Sequence, residues 1–561
     1  MKYIYLSIPL ILYFFSSCQE ENLPNPILEI DLNFGFENVW ASGNVYPWRF
    51  INYQGDKVDS LNQLSGKYCA KLNSMNTKRK LGLVYNYEIP LPKSVDTVAV
   101  ICKVKNISAS KNDFYFGAHS NEATANKNQI IHSEILSIES DDKWYEYQIK
   151  FKKPLNISTF FFGIESIETN DLLIDDFEVK FDDVSIIEFP FCSPENIELL
   201  NKYTQPIINA SLEEDVDDLR FLRKLVNDKK VLGLGESNHG THEIFKIKNR
   251  IVKYLVENEG FNTIVFESNM DNLYHVNEYI TNEDSDLDVD SIMDQFIHLF
   301  QTEEIKTLVE WLKKYNADKP NNKKVYFLGC DMQDDAQSIQ FLKSFADVYD
   351  KVLFDFLLAY EQEYKVYENL AIIKQIQEHI ESNKNNYDVS ELKIKRLEQS
   401  AFLLKQFAIF DANLGNRSIH RDSSMANNLL WILDTYEDRK VIYWADNFHT
   451  RKDISSSAGG FLDKILKEDY YVISFHLSKG YTAGKFSRKS ILSPRLFPRR
   501  PQYYLNAAPD SIFFLDAKDF CKAYSKNTKT FDSMQEMCEH EFYDAILHIK
   551  HASPAQLLKF Q

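Results

Sequence analysis

A polar stretch of nine residues, GESNHGTHE at 235–243, places two glutamates and two histidines between a buried strand and an amphipathic helix. The four residues before it, 231–234, are apolar, as in a strand that is covered on both faces. After it, apolar residues recur at three- and four-residue spacing from Ile244 to Val256, which predicts a helix. A strand, a polar turn and a helix in this order predict an open α/β sheet that binds its ligand at the carboxyl ends of its strands.

The pattern of buried strand and helix continues along the chain. Further apolar runs lie at 263–266, 325–328, 441–444 and 470–475, and helical segments stand between them, beginning with 215–227. This alternation predicts an α/β domain at 201–561 with flanking helices and a parallel or mostly parallel sheet. Residues 332–413 contain neither glycine nor proline, and 341–378 and 390–410 have helical periodicity, so we expect an inserted helical bundle at about 333–436.

The first part of the chain has a different pattern, typical of an all-β sandwich at 28–188. Short alternating runs at 98–104, 145–151 and 177–181 are separated by clusters of Asn, Asp, Ser and Gly. Residues 189–200, which include two prolines, are predicted to be a linker to the α/β domain.

Residues 1–17 have the layout of a secretory signal, with Lys2 followed by a short apolar run. Two serines precede Cys18, as at a bacterial lipoprotein cleavage site, so we expect a lipid on Cys18 and a tether at 18–27. The predicted location is the cell envelope, with the protein outside the cytoplasm and its membrane contact made through the lipid anchor. An ordinary cleaved signal peptide is the alternative.

Charge and cysteine spacing exclude several classes of protein. A formal net charge of -18 argues against nucleic acid as a partner, because phosphate binding needs a basic surface. No Cys-x-x-Cys spacing is present, which excludes a zinc knuckle and a thioredoxin-like motif. Cys521 and Cys538 are the nearest pair that could form a disulfide, and buried free thiols are an equal possibility.

Polar side chains follow each predicted strand of the α/β domain. Because the carboxyl ends of parallel strands share one edge of the sheet, we expect several of these groups to line a single catalytic cleft. In chain order they are Glu236 and His239, Glu267, Asp331, Asp446 with Asn447 and His449, and His476. Each could instead be a solvated or capping residue, as is common at strand ends.

Two chemistries fit this set of residues. A histidine held by a carboxylate could take a proton from water, which then attacks an ester or lactone carbonyl. Alternatively, His239, His242 and carboxylates could bind a divalent metal ion that activates the water. The His-x-x-His spacing falls on a turn and is not the His-Glu-x-x-His helix of zinc proteases, and no Gly-x-Ser-x-Gly elbow indicates a serine nucleophile. We therefore predict a site without metal or other cofactor.

Three motifs together resemble the erythromycin esterase family over roughly residues 200–555: GESNHGTHE at 235–243 with Glu267 after the next strand, RDSSMANN at 421–428, and WADNFH at 444–449. The resemblance implies an α/β core with a helical portion beside the cleft, and hydrolysis of a small lactone or ester such as a macrolide. It also implies that His239 is the general base and that Glu236 and Glu267 position it or the water. His449 and Arg421 would be electrostatic partners across the cleft.

The chain departs from the family pattern at two positions: Asp446 stands where His is common, and Lys248 where Arg is common. An ionised carboxylate cannot donate a hydrogen bond, and lysine lacks the planar fork of guanidinium, so both changes bear on the substrate and rate. The candidate substrate-binding residues are Lys248, Asp446, Asn447, Asp331 and His242.

The first domain resembles the jelly-roll modules of extracellular bacterial enzymes, in its opening residues 33–37 and its closing residues 173–177. That resemblance implies a possible glycan partner, bound by Trp40 and Trp48, which look exposed in the sequence. The alternative is that these tryptophans are core or edge residues of a spacer. If the α/β domain had lost its chemistry, the whole chain would be a non-catalytic, glycan-binding surface lipoprotein.

Overall fold

The computed structural model describes residues 32–37, 45, 47–51, 57–72, 82–86, 89–92, 94–119, 130–153, 159–167, 171–189, 191, 194–282, 285, 287–363, 366–412, 415–436, 438–453, 455–484, 487–491, 501–527, 538 and 542–558. The predicted signal, Cys18, the tether and Trp40 lie outside these residues. The chain divides into two compact units. One comprises residues 1–199, 493–508 and 528–534, and the other comprises the remainder.

The first unit is a β-sandwich, as the sequence predicts. One antiparallel sheet has the order β1-β4-β11-β7-β8, with β5 beside β11 and β9 beside β7, and the other has the order β10-β6-β12-β3-β2, with β13 beside β12. The strands are β1 Trp48–Ile51, β2 Val58–Asp59, β3 Cys69–Leu72, β4 Gly82–Tyr85, β5 Ile89–Pro90, β6 Thr97–Asn106, β7 Asn112–His119, β8 Ile130–His132, β9 Leu136–Ile138, β10 Trp144–Lys152, β11 Thr159–Ser166, β12 Leu172–Phe181 and β13 Val184–Ser185.

Trp48 belongs to the core of this sandwich. Its side chain is 6% exposed, its ring lies 4.6 Å from that of Phe177 on the opposite sheet, and its Nε1 donates to the carbonyl of Asn33 at 2.9 Å. The expectation that Trp48 is an exposed sugar platform is therefore wrong, because a strand residue that faces the opposite sheet is covered by it. Glycan binding by this unit stays a prediction without this residue.

The second unit is built on a nine-stranded sheet in the order β14-β21-β22-β19-β15-β18-β16-β17, with β20 beside β19. The six neighbours from β22 to β17 are parallel, whereas β14, β20 and β21 pair in antiparallel fashion. These strands are β14 Thr204–Pro206, β15 Val231–Leu234, β16 Thr263–Asn269, β17 Tyr326–Asp331, β18 Val441–Trp444, β19 Tyr470–Gly484, β20 Ser487–Ile491, β21 Ile512–Asp516 and β22 Ala545–Ala552. The predicted mostly parallel sheet is confirmed.

The helices of the described residues are α1 Pro194–Tyr203, α2 Arg223–Val226, α3 His242–Asn258, α4 Met270–Thr281, α5 Val289–Met293, α6 Glu303–Ala317, α7 Ala336–Tyr349, α8 Lys351–Gln362, α9 Val366–Asn383, α10 Glu391–Asp411, α11 Arg417–Thr435, α12 Asn447–Thr450, α13 Ala458–Leu466, α14 Pro501–Leu505 and α15 Ala517–Asn527. Helix α14 and residues 194–199 of α1 belong to the first unit, and the other helices flank this sheet or form the insertion. Helices α7 to α10 have a core of their own, whereas α11 packs Met425, Leu429 and Ile432 on the sheet.

Two helical predictions differ from the structure in detail. Residues 341–378 are divided among three helices. The first break lies at Asp350, which ends α7 and caps α8, because its carboxylate accepts from the Leu353 N–H at 3.0 Å. Residues 215–227 form a 3₁₀ helix at Asp217–Leu222 followed by the single turn of α2.

Cysteine pairing and membrane helices can be stated for the described residues. Cys521 and Cys538 form a disulfide, which decides between the two possibilities left open by the sequence. Cys69, Cys102 and Cys330 are buried free thiols. Within the ranges above, no helix combines the length and apolar character that crossing a bilayer requires.

Candidate active site

The carboxyl ends of five parallel strands meet at one edge of the sheet in the second unit. From one side to the other, these strands are β19, β15, β18, β16 and β17. Glu236 follows β15 by two residues, and Asp446 follows β18 by two residues. Glu267 is the third residue from the end of β16, and Asp331 is the last residue of β17. The topology therefore brings these four side chains to one edge of the sheet.

The turn after β15 is held closely by its neighbours. A Cβ on Gly235 would lie 2.1 Å from the side-chain oxygen of Asn447, so only glycine fits beside that residue. Gly240 has a φ of +81°, and its carbonyl accepts from the N–H groups of Ala483 at 2.8 Å and Ala555 at 2.9 Å. These contacts fix the backbone on both sides of His239.

Glu236 is a fully buried carboxylate with three donors. It accepts from Nδ1 of His239, from Nζ of Lys248 at 2.8 Å and from Nε1 of Trp444 at 3.1 Å. Burial alone would raise the pKa of Glu236, but the charges and hydrogen bonds of Lys248 and His239 lower it. Glu236 is therefore an ionised anchor that orients the His239 ring and leaves Nε2 as the nitrogen that can exchange a proton.

His239 is a stronger base than an ordinary histidine. Burial opposes the charged ring, but the hydrogen bond and charge of Glu236, followed by the charges of Glu267 and Asp446, raise its pKa from 6.5 to about 9. The side chain is 25% exposed, so the ring reaches the solvent side of the buried carboxylate. The ring also packs on Phe300, with 5.3 Å between the ring centroids.

Arg421 ties the second half of the site together. Its Nη2 donates to Glu267 at 2.9 Å and to Asp331 at 2.7 Å, and its Nη1 lies 3.1 Å from Nε2 of His449. The second oxygen of Glu267 accepts from the Asp446 N–H at 2.8 Å. Burial would raise the pKa of Glu267, but the charges of His449, His239 and Arg421 lower it to about 2.

Asp422 is a site residue that the sequence reasoning missed. It accepts from Nδ1 of His449 at 2.7 Å and from the Ala458 N–H at 2.8 Å, and its side chain is 2% exposed. Burial opposes a charge on His449, but the hydrogen bond to Asp422 and the charge of Glu267 outweigh burial and raise the His449 pKa. The signal was present, since Asp422 directly follows Arg421 in one of the quoted motifs.

Asp446 lies beside the His239 cluster and also begins α12. Its carboxylate accepts from the Phe448 N–H at 2.7 Å, as an N-cap residue does. Burial raises the pKa of Asp446, and the neighbouring charges of Glu267 and Glu236 add to this, whereas the Phe448 N–H and His239 oppose it.

Three predicted substrate-binding residues are held inside the protein by other residues and are not available to a substrate. Lys248 is fully buried behind Glu236, with Nζ 4.5 Å from the Trp444 ring, so it is too deep to touch a substrate. The Asn447 amide is occupied by the backbone of Phe475, to whose carbonyl it donates at 2.8 Å. Asp331 is 2% exposed and paired with Arg421.

His242 and His476, the other two histidines that the sequence placed near the site, lie outside the network around His239 and Arg421. His242 begins α3, as expected, and its Nδ1 pairs with Glu304, a partner the sequence did not indicate. Glu243 accepts from the backbone and hydroxyl of Ser553, in addition to its place in the first turn of the helix. His476 Nε2 lies 3.0 Å from the Ser474 hydroxyl.

No group of three or more His, Cys, Asp and Glu side chains in the described ranges has the arrangement of a metal site. The acidic side chains around His239 are instead committed to cations and N–H donors: Glu236 to Lys248, and Glu267 to Arg421. As placed here, this donor set does not fit a metal ion.

Comparison with known proteins gives a family and several relatives. The erythromycin esterase family matches residues 256–552, more than half of the chain. "Putative hydrolase YbfO" of Bacillus subtilis (strain 168) is 23% identical over 428 residues, which are 64% of this chain and 92% of that protein. "Erythromycin esterase type II" of Escherichia coli is 31% identical over 120 residues, which are 21% of this chain and only 27% of that protein.

One solved structure supports the fold. The crystal structure of a protein described as a succinoglycan biosynthesis protein aligns with a TM-score of 0.55 at 23% identity. The alignment covers 65% of this chain and 98% of that structure.

Proposed function

Since the chain belongs to the erythromycin esterase family, we propose that it is a hydrolase that cleaves a carboxylic ester or lactone by general-base activation of water. The observation that carries the proposal is the pair formed by His239 and Glu236 at the carboxyl edge of the sheet. A buried carboxylate that fixes one ring nitrogen leaves the other available as a base, which is the arrangement that general-base catalysis requires.

The proposed steps use groups of this chain. Nε2 of His239 takes a proton from a water molecule, and the oxygen of that water bonds to the carbonyl carbon while the C=O π electrons move to oxygen. The positive charge of Arg421 stabilises the tetrahedral oxyanion, with His449 beside it across the cleft. When the carbon–oxygen bond to the leaving group breaks, the imidazolium of His239 returns the proton to the departing alkoxide, and the products are an acid and an alcohol.

Asp422 and Lys248 act in this scheme through other residues. Asp422 fixes the ring of His449, and Lys248 compensates the buried charge of Glu236. Both are positioning residues. Since Lys248, Asn447 and Asp331 are held inside the structure, the substrate contacts must come from other side chains of the cleft, and Asp446 is the candidate with a carboxylate beside the base.

The direct test measures hydrolysis of a panel of macrolide lactones and aryl esters by the purified full chain. We expect turnover by the native protein and by a His379→Ala control, which removes an imidazole that pairs with Asp350 in the helical insertion. His239→Ala should lower kcat by about 100- to 10,000-fold, the usual contribution of a general base. Equal activity in His239→Ala would refute the assigned base, and no turnover of any ester by the native protein would favour a binding function.

The location of the protein and a glycan partner are separate proposals. We propose a lipid anchor on Cys18, which rests on the signal-like residues 1–17 and on the two serines before the cysteine. Labelled lipid should be incorporated into the native chain and not into Cys18→Ala, and incorporation into both would refute the anchor. A flat glycan-array profile for the native chain would likewise refute binding of glycans by the β-sandwich.

A further inference from the structure

The second unit contains a large cavity that the proposed reaction does not use. It has a volume of about 710 Å³, within the range of small-molecule sites. It is bounded by α4, α7, the start of α10 and the amino end of β17, whereas the catalytic groups follow the carboxyl ends of the strands. None of the residues of the His239 and Arg421 network lines it. Its aromatic walls are Tyr274, Tyr326, Phe341 and Tyr436.

The charge of this cavity is opposite to that of the protein. Three cations, Lys324, Lys393 and Arg396, line it together with a single carboxylate, Glu278, although the chain has a formal net charge of -18. His275, also in the lining, is paired with Glu278, and this pairing raises its pKa even though burial opposes the shift. A positive pocket in an acidic protein favours an anionic ligand.

Arg396 is prepared to bind such an anion. Its guanidinium lies between two aromatic rings, with the central carbon 3.9 Å from the centroids of both Tyr274 and Phe341. One amino nitrogen is 3.8 Å from Glu278, beyond hydrogen-bond distance, and the side chain keeps 18% of its surface exposed. A guanidinium held flat between two rings can donate two parallel hydrogen bonds to a carboxylate or phosphate.

We propose that this cavity is a second binding site, for a small organic anion whose carboxylate or phosphate oxygens accept from the guanidinium of Arg396. The ring or sugar body of this molecule lies among the tyrosines, which bury planar and amphipathic groups well. The imidazole in this lining, His275, has its Nδ1 3.7 Å from Glu278 and its Nε2 3.2 Å from Oε1 of Gln337. Both ring nitrogens are therefore engaged, and we propose binding without hydrolysis at this site.

Calorimetric titration of the full chain tests the proposal, with benzoate, glucuronate, inorganic phosphate and neutral benzamide as probes. We expect at least one anion to bind at millimolar or lower concentration, more weakly at high salt, and benzamide not to bind. Comparison of the two carboxylates with phosphate shows which kind of anion the cavity binds. Arg396→Lys should weaken binding about tenfold or more, because it removes the two-pronged donor.

A matched pair of serine variants tests the cavity without touching Arg396. Ser344 is exposed on α7 and lines the cavity, and its hydroxyl donates to the carbonyl four residues earlier at 2.8 Å. Ser382 on α9 makes the same bond at 2.8 Å and does not line the cavity. Ser344→Phe should abolish binding by filling the space, whereas Ser382→Phe should not change it.

Three results would overturn the proposal. One is the absence of binding of every anion, and another is equal binding of benzamide and benzoate. The third is binding that is lost in His239→Ala and kept in Ser344→Phe, which would place the anion in the catalytic cleft.

Discussion

The raised pKa of His239 makes a quantitative prediction about the pH dependence of hydrolysis. A general base must be neutral, and a ring with a pKa of about 9 is neutral in about one molecule in a hundred at pH 7. With the ordinary pKa of 6.5, about three molecules in four would be neutral. We therefore expect kcat/KM to rise about tenfold per pH unit from pH 7 and to level off near pH 9.

Asp446→Asn tests the physical cause of this shift. The Asp446 charge is one of the three carboxylates that raise the His239 pKa, after Glu236 and Glu267. Removing one such charge should lower the His239 pKa by about half a unit to one unit, since about 1.4 kcal/mol of interaction corresponds to one unit. At pH 7 the variant should then be about three- to tenfold faster in kcat/KM than the native protein.

The assay is a pH series of kcat/KM with one ester that is stable in alkali, run beside Asp318→Asn. Asp318 is an exposed carboxylate at the end of α6, so its removal controls for the change in total charge. A native profile that already levels off near pH 6.5, or an acid limb that moves to higher pH in Asp446→Asn, would contradict this origin of the raised pKa. An equal shift in Asp318→Asn would show that net charge, and not the site, sets the pKa.

Other perturbations give clear expectations. Asp422→Asn should lower kcat by about 10- to 100-fold with a smaller change in KM, because the charge and ring position of His449 depend on this carboxylate; a change confined to KM would contradict the positioning role. Lys248→Met should destabilise the fold by about 3–5 kcal/mol in denaturant titration, because it leaves the buried Glu236 carboxylate without its ammonium partner; near-native stability would contradict this. A chelator such as EDTA should leave the hydrolysis rate unchanged, and a loss that zinc restores would favour the metal-dependent alternative.

The sequence predicted the sheet and its edge well, for a physical reason. Buried parallel strands are continuous apolar runs, and 231–234 and 441–444 agree with β15 and β18 to the residue. Strands β14, β20, β21 and β22 were not predicted, and three of them pair only in antiparallel fashion, outside the alternation of helix and parallel strand by which the others were found. Topology alone then brought Glu236, Glu267 and Asp446 together.

The sequence could not predict which polar side chains of the site are buried and which reach the cleft. Lys248, less than two turns along α3 from its first residue, was expected at the cleft, yet its aliphatic stem and ammonium lie entirely inside. Trp444 was predicted as a strand residue and quoted as the first residue of a motif, with no role in the site, whereas its Nε1 is one of the three donors to Glu236. Which face of a helix or strand end points inward depends on the neighbours that pack against it, and periodicity does not specify those neighbours when both faces are covered.

The two departures from the family pattern therefore have different consequences. Lys248 still satisfies Glu236 with a charged hydrogen bond, and Trp444 supplies the second donor that the planar fork of an arginine could offer. Asp446 adds a negative charge beside His239 and so contributes, after Glu236 and Glu267, to the raised pKa of the ring. The departure at Asp446 therefore bears on the rate at a given pH, and substrate choice must be set by residues that reach the open part of the cleft.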